Sequence, residues 1–196
     1  MIDPTTITNY NRTQAELEEF LLFSIMVASK KSTTTAKKLD AFLKESKHWG
    51  VGDFSPLQYI AFLQGGDGLL MSSLKKHKVG QYERIRAAFA GVLQFYTKLN
   101  TVSVEELESV KGIGPKTARF FVAHSQKDAQ LAVLDTHVLH YLRDLGINAP
   151  TSTPNGKKYQ YLEKLFLEIA KLKNMIPADL DLQIWKMYSK TQPIVA

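Results

Sequence analysis

The sequence predicts an all-α protein, and three features predict it. Nearly every segment carries apolar residues at helical spacing, strand-like alternation is short or absent, and the helical stretches are divided by Gly- and Pro-containing turns such as "QGGDG" and "GINAPTSTPNG". About ten helices are expected.

Residues 13–29 form the first, with Leu17, Phe20, Leu21, Ser24, Ile25 and Ala28 on one face and acids in the first turn, where the helix dipole favours them. The second starts near 32–34 and runs to 46, turning Ala36, Leu39, Phe42 and Leu43 inward, before a loop at 50–56. Shorter helices fit 56–63 and 67–77, and an amphipathic one fits 82–99 through Ile85, Phe89, Val92, Leu93 and Tyr96. Ser103 and Glu106 form a capping pattern that opens the next helix at 104. Further helices are expected over 115–126 and 136–144, separated by "LAVL" in extended form. The last two are expected over 156–173 and 177–190, with Pro177 in the first turn.

The chain of 196 residues is long enough for one sizeable unit. Its 44% hydrophobic and 22% charged content is that of a globular protein. The longest apolar run, "FLLFSIMVA", has nine residues and follows three glutamates, which excludes a spanning helix. No charged start followed by an apolar stretch marks a signal peptide, so an intracellular protein of the cytoplasm or nucleoid is expected. The absence of cysteine excludes disulfides, thiolate zinc sites and iron-sulfur clusters. A net charge of +6 and a pI near 9.3 suit a polyanionic partner such as nucleic acid.

One stretch breaks the helical pattern. In "ESVKGIGPKTARFF" two glycines, a proline and two lysines fall within six residues. Gly112 and Gly114 let the backbone turn sharply around Ile113, which anchors the turn in the core. Backbone N–H groups at the start of the following helix are then free to meet a phosphate oxygen, aided by the dipole and by Lys111, Lys116 and Thr117. Pro115 suits a first helical turn, where its missing N–H costs little. A plain turn between two helices has the same local sequence.

The residues that follow extend the pattern. The run "VKGIGPKTARFFVAHSQKDAQLAVLDTHVLHYLRDLG" resembles the helix-hairpin-helix DNA glycosylases, which combine a Gly-x-Gly hairpin, a lysine just beyond it and an aspartate after a loop. Gly112, Gly114, Lys116 and Asp135 fall on that pattern, whose specific match covers 104–145. The resemblance implies two helical lobes around a cleft in a single unit. One lobe spans about 30–135 and holds the hairpin at 104–126; the other is built from both termini, about 1–29 and 136–196. It also implies a double-stranded DNA partner with a damaged base, and monomeric action. "SIMVASKKSTTTAKKLDAFL" resembles the element that wedges a side chain into the duplex, which places the wedge near Lys30 or Lys31. The family's loop carries a Gly or Pro before the aspartate, and "SQKDAQLAVLD" does not.

Base removal passes through a cationic sugar, which the Asp135 carboxylate would stabilise. A lysine amine in the position of Lys116 would attack the sugar carbon, form a Schiff base and allow strand elimination. That demands a neutral amine, and a helix start and burial both favour one. Asp135 also makes a good N-cap for the helix it opens.

Among the family's branches, the cysteine-free sequence disfavours those with an iron-sulfur cluster, and Lys116 disfavours the alkylation branch. The compact archaeal and bacterial 8-oxoguanine type remains, and its C-terminal helix resembles "DLDLQIWKMYSKT". Trp185 and Tyr188 are the expected base-pocket residues. That type ends on a lysine used in base recognition, whereas this chain continues past Lys190 to "TQPIVA". No cofactor is expected, and the resemblance admits a monovalent cation on the hairpin carbonyls. His137 and His140 are spaced as metal ligands, but nothing completes a site and no metal is expected. A monofunctional glycosylase for another base and a non-catalytic DNA-binding module share most of these features.

Overall fold

The computed structural model describes residues 1–49 and 54–189; part of the loop at 50–56 and the extension past Lys190 lie outside the described residues. Ten α-helices and three 3-10 turns are present among the described residues, with no strand. The helices are α1 (Gln14–Met26), α2 (Ser32–Lys44), α3 (Pro56–Gly65), α4 (Leu69–Lys76), α5 (Tyr82–Val92), α6 (Val104–Glu108), α7 (Pro115–Ser125), α8 (Thr136–Asp144), α9 (Gly156–Leu172) and α10 (Pro177–Tyr188).

Helix starts follow local chemistry. Thr13 with Glu16, Ser55 with Gln58 and Ser103 with Glu106 each close a reciprocal capping box. α1 departs from its expected one-sided pattern, because Leu22, Phe23 and Met26 are buried along with Leu21 and Ile25. From Leu17 on it packs against α2, α3, α5 and α7 at once, and only Glu19 of that stretch is not buried. Glu18 is buried on it and accepts from the Leu57 backbone N–H at 3.0 Å, so an α1 side chain satisfies the start of α3. α5 is shorter than expected: it ends at Val92 and passes into a 3-10 turn, Leu93–Phe95. The Gln94 side chain takes the Gly91 carbonyl there, and a Cβ at Gly91 would lie 2.6 Å from Val110.

The core forms two clusters. The larger gathers α1 to α7, and the smaller gathers α8, α9 and α10 around Leu139, Leu142, Tyr159, Leu162 and Phe166. The buried residues of α1 belong to the larger cluster, packed by α2, α3, α5 and α7. The two clusters meet where α10 touches α7, and the cleft opens beside that contact.

A buried acid ties the 3-10 turn Glu45–Trp49 to α4. Glu45 accepts from Ser73 Oγ at 2.6 Å, Lys76 Nζ at 2.6 Å and His77 Nε2 at 2.8 Å. Burial alone would raise its pKa, but the three donors outweigh that and hold it at about 2. The depressed folded value stabilises the fold above the unfolded carboxyl pKa, and this stability is lost as pH falls from about 4.5 toward 2. Glu45→Gln is expected to cost about 2 kcal/mol at pH 7 in urea unfolding, with the gap to wild type closing over that acid window. An equal gap at pH 7 and pH 3 would contradict the assignment.

Candidate active site

The chain reverses between α6 and α7 at Gly112, whose φ of +96° lies in the left-handed region. A Cβ there would sit 2.6 Å from the Arg84 carbonyl oxygen, so both conformation and space require glycine. The Arg84 guanidinium clamps the turn. It donates to the Gly112 carbonyl, the Ile25 carbonyl and Gln81 Oε1, each at 2.8 Å. Ile113 drops into the core, and Lys111 remains exposed.

Gly114 differs from Gly112. Its backbone is extended, at φ −106° and ψ 176°, and it caps α7. A Cβ at Gly114 would meet nothing within 4 Å. The fold itself does not require glycine at this exposed position. The Lys116 and Thr117 backbone N–H groups in the first turn of α7 have no partner among the described residues.

Beside the hairpin lies a cleft of about 1030 Å³. Lys116, Thr117 and Phe120 of α7 line one side, and Asp135, Thr136 and His137 of α8 line another. The 29–33 loop contributes Lys30 and Lys31, and α10 contributes Asp181, Leu182, Trp185 and Ser189. The two residues expected to carry chemistry, Lys116 and Asp135, thus share one cleft. Lys116 is half-buried, and its Nζ lies 5.8 Å from the Phe120 ring centroid with no hydrogen-bond partner among the described residues.

Asp135 caps α8 through one oxygen. Oδ1 accepts from the His137 and Val138 N–H groups at 2.9 Å each, which leaves Oδ2 unpaired among the described residues. The segment before it lacks the family's Gly or Pro and is held by side chains instead. Tyr159 Oη donates to the Ala132 carbonyl at 2.7 Å and accepts from the Leu134 N–H at 3.2 Å. Glu163 accepts from the Ala132 N–H at 3.0 Å, and Thr153 donates to the Leu134 carbonyl at 2.9 Å. These bonds satisfy an extended backbone that has no strand partner.

The remaining expected residues separate. Lys30 is a strut: its ammonium donates to the Val79 carbonyl at 2.7 Å, and burial, with the charges of Arg84 and Lys38, lowers its pKa to about 8. Lys31 is exposed and is the member of the pair free to meet a partner. Trp185 lines the cleft, while Tyr188 does not; the Tyr188 hydroxyl donates to Asp144 at 2.5 Å and its ring packs on His140 at 4.8 Å. His137 and His140 accordingly serve different places, and no group of three or more His, Asp or Glu is gathered for a metal among the described residues.

Asp181 stands in the cleft wall, paired with a buried histidine behind it, and neither residue is marked by the sequence pattern. Asp181 is 8% exposed, and its Oδ2 lies 3.1 Å from Nε2 of the fully buried His124. Burial raises the Asp181 pKa, opposed by the His124 hydrogen bond; the charge of Asp135 adds to the rise and that of Lys116 reduces it. The available signals were Asp181 one turn before Trp185 and His124 two turns after Lys116.

Comparison with known proteins agrees with the fold. A family description, "Helix-hairpin-helix motif", matches residues 96–121. The 8-oxoguanine DNA glycosylase/AP lyase of Thermoplasma volcanium is 40% identical over 86 residues, covering 43% of this chain and 40% of that protein. The protein of the same description from Saccharolobus solfataricus is 34% identical over 93 residues, covering 46% and 44% respectively. The matched region is thus less than half the length of these relatives. The solved 8-oxoguanine DNA glycosylase of Methanocaldococcus jannaschii superposes with a TM-score of 0.68 at 23% identity, covering 95% of this chain and 84% of that one. The Thermotoga maritima 8-oxoguanine DNA glycosylase gives 0.62 at 20% identity, covering 89% and 80%. The chain has the fold of these enzymes and carries the helix-hairpin-helix motif.

The two hairpin glycines are expected to respond differently. Gly112→Ala should cost about 3 kcal/mol in urea unfolding, from strain and the clash with Arg84. Gly114→Ala should cost about 1 kcal/mol or less, the difference between cap residues. Equal losses would contradict the distinct roles.

Proposed function

We propose that this chain, with the fold of the 8-oxoguanine DNA glycosylases, is a base-excision DNA glycosylase with AP lyase activity, acting on duplex DNA that carries an oxidised purine, with 8-oxoguanine favoured. The observation that carries the proposal is the convergence of Lys116 and Asp135 on one cleft at the mouth of the hairpin. The relatives' descriptions support the lesion class, and one solved neighbour, the M. jannaschii enzyme, is in complex with DNA containing 8-oxoguanine.

In this reading the hairpin grips a phosphate through the open N–H groups at the start of α7, with Gly114 giving the close approach and Lys111 adding charge. Lys31 stands on the opposite loop, placed to enter the duplex as the base swings out. The extruded purine enters the cleft, where Trp185 offers an aromatic surface. The free Oδ2 of Asp135 stabilises positive charge on the sugar, and the Lys116 amine attacks the anomeric carbon, giving a Schiff base from which the strand is eliminated. The lysine and the carboxylate supply this chemistry without a cofactor. One copy of the chain holds the whole set, so a monomer suffices.

Single-turnover assays on an 8-oxoguanine duplex test the proposal. Lys116→Gln is expected to lose strand cleavage in the absence of heat or alkali. Asp135→Asn keeps a good N-cap and should lower base removal by about a hundredfold or more while DNA binding persists. Gly114→Ala should weaken DNA binding more than it affects stability. Base removal by Lys116→Gln at the wild-type rate, revealed by alkali, would instead favour a monofunctional glycosylase.

A further inference from the structure

The Asp181–His124 pair has no part in the reaction as described, and its position is costly. A buried carboxyl loses several kcal/mol of hydration, and an apolar residue in its place would pack α10 against α7 without that penalty. Its carboxyl stands in the cleft wall, on the same cavity as Lys116 and Asp135, with His124 buried behind it. Lys116, Phe120 and His124 follow one another at four-residue spacing along one face of α7. The Lys116 ammonium lies 5.8 Å from the Phe120 centroid, and the Phe120 and His124 rings are 5.1 Å apart.

The imidazole is held at both nitrogens. Nδ1 lies 2.9 Å from Thr8 Oγ1 and Nε2 lies 3.1 Å from Asp181 Oδ2. A threonine hydroxyl donating to Nδ1 puts the ring proton on Nε2, which donates to the carboxyl. Oδ1 of Asp181 is left without a partner among the described residues.

We propose that Asp181 accepts the proton that Lys116 must lose before it attacks, and that His124 is the positioning residue that holds the acceptor. This rests on the reading of Lys116 as the nucleophile. The step is balanced: one N–H bond of the Lys116 ammonium breaks, one O–H bond forms on Asp181, and a cation and an anion become a neutral amine and a neutral acid. A buried carboxyl, which burial drives toward its protonated form, is suited to that exchange. Other charged or titratable groups around the pair are Asp135 and His137 at α8, Lys30 and Lys31 across the cleft, and Arg12, which donates to the His124 carbonyl. Tyr159 of α9 also feels the Asp181 charge.

The consequence is a pH profile. While one proton is shared by the two groups, the fraction of neutral amine stays constant, so the rate is flat between their two macroscopic pKa values. Without the acceptor, the neutral fraction follows the lysine's own titration and rises about tenfold per pH unit below its pKa.

The test is single-turnover cleavage of a duplex containing an abasic site, which needs the amine but not the choice of base, between pH 6 and pH 9. Wild type is expected to vary by less than about threefold. Asp181→Asn, which keeps an oxygen acceptor for His124, should fall at pH 6 and rise about tenfold per unit toward the wild-type rate. Asp181→Glu should restore the flat profile. A tenfold-per-unit rise in wild type itself overturns the inference without any variant, so a failure of Asp181→Asn to fold does not leave it undecided. A flat Asp181→Asn profile at the wild-type rate also overturns it. No cleavage by wild type at any pH refutes the nucleophilic role of Lys116 instead.

Discussion

The Gly112 carbonyl accepts a hydrogen bond from Arg84 at 2.8 Å, while the Gly112 Cα lies so close to α5 that a side chain would strike the Arg84 backbone oxygen. That clamped reversal fixes where α7 begins. The same guanidinium holds the Ile25 carbonyl at the end of α1, so one side chain of α5 ties the hairpin to α1. The direction of α7 then sets the rest. Its first turn faces the cleft with Lys116, and its far end carries His124 to the wall formed by α10. Removal of the clamp would release the register of the helix start on which both the phosphate contact and the lysine depend.

Asp135 is fixed by a different means. The Asp135 N–H closes a three-residue turn onto the Val133 carbonyl at 2.7 Å, and the segment before it is bound by Tyr159, Glu163 and Thr153. Arg119 of α7 donates to Glu163 at 2.9 Å and lies 4.4 Å from the Tyr159 ring, so the helix bearing the lysine and the segment bearing the aspartate share one polar network. Lys116 and Asp135 are therefore coupled through α9 as well as across the cleft. Buried polar networks of this kind are costly when half satisfied and rigid when complete, which suits a site that must keep two groups in register.

Helical periodicity made the element order legible, and the cap at Ser103 made one start so. The hairpin was legible because a Gly-x-Gly interrupting an amphipathic pattern has few physical explanations. The packing of α1 was not, since one-dimensional periodicity does not distinguish a helix with one buried face from one enclosed on nearly every side. The division of labour between Lys30 and Lys31 also required coordinates, because adjacent lysines look alike until one finds the Val79 carbonyl. Asp181 and His124 were hidden for a related reason: they are 57 residues apart, and each reads as an ordinary polar position on its own helix.

The central claim is that the Lys116 amine forms the covalent bond to the sugar. Its most direct measurement is borohydride reduction of the protein on an 8-oxoguanine duplex, followed by protease digestion and mass spectrometry of the trapped peptide. The account predicts a single adduct, with the added sugar mass on Lys116 in the peptide that begins the helix after the hairpin. An adduct on another lysine or on the N-terminal amine, with the Lys116 peptide unmodified, would contradict it.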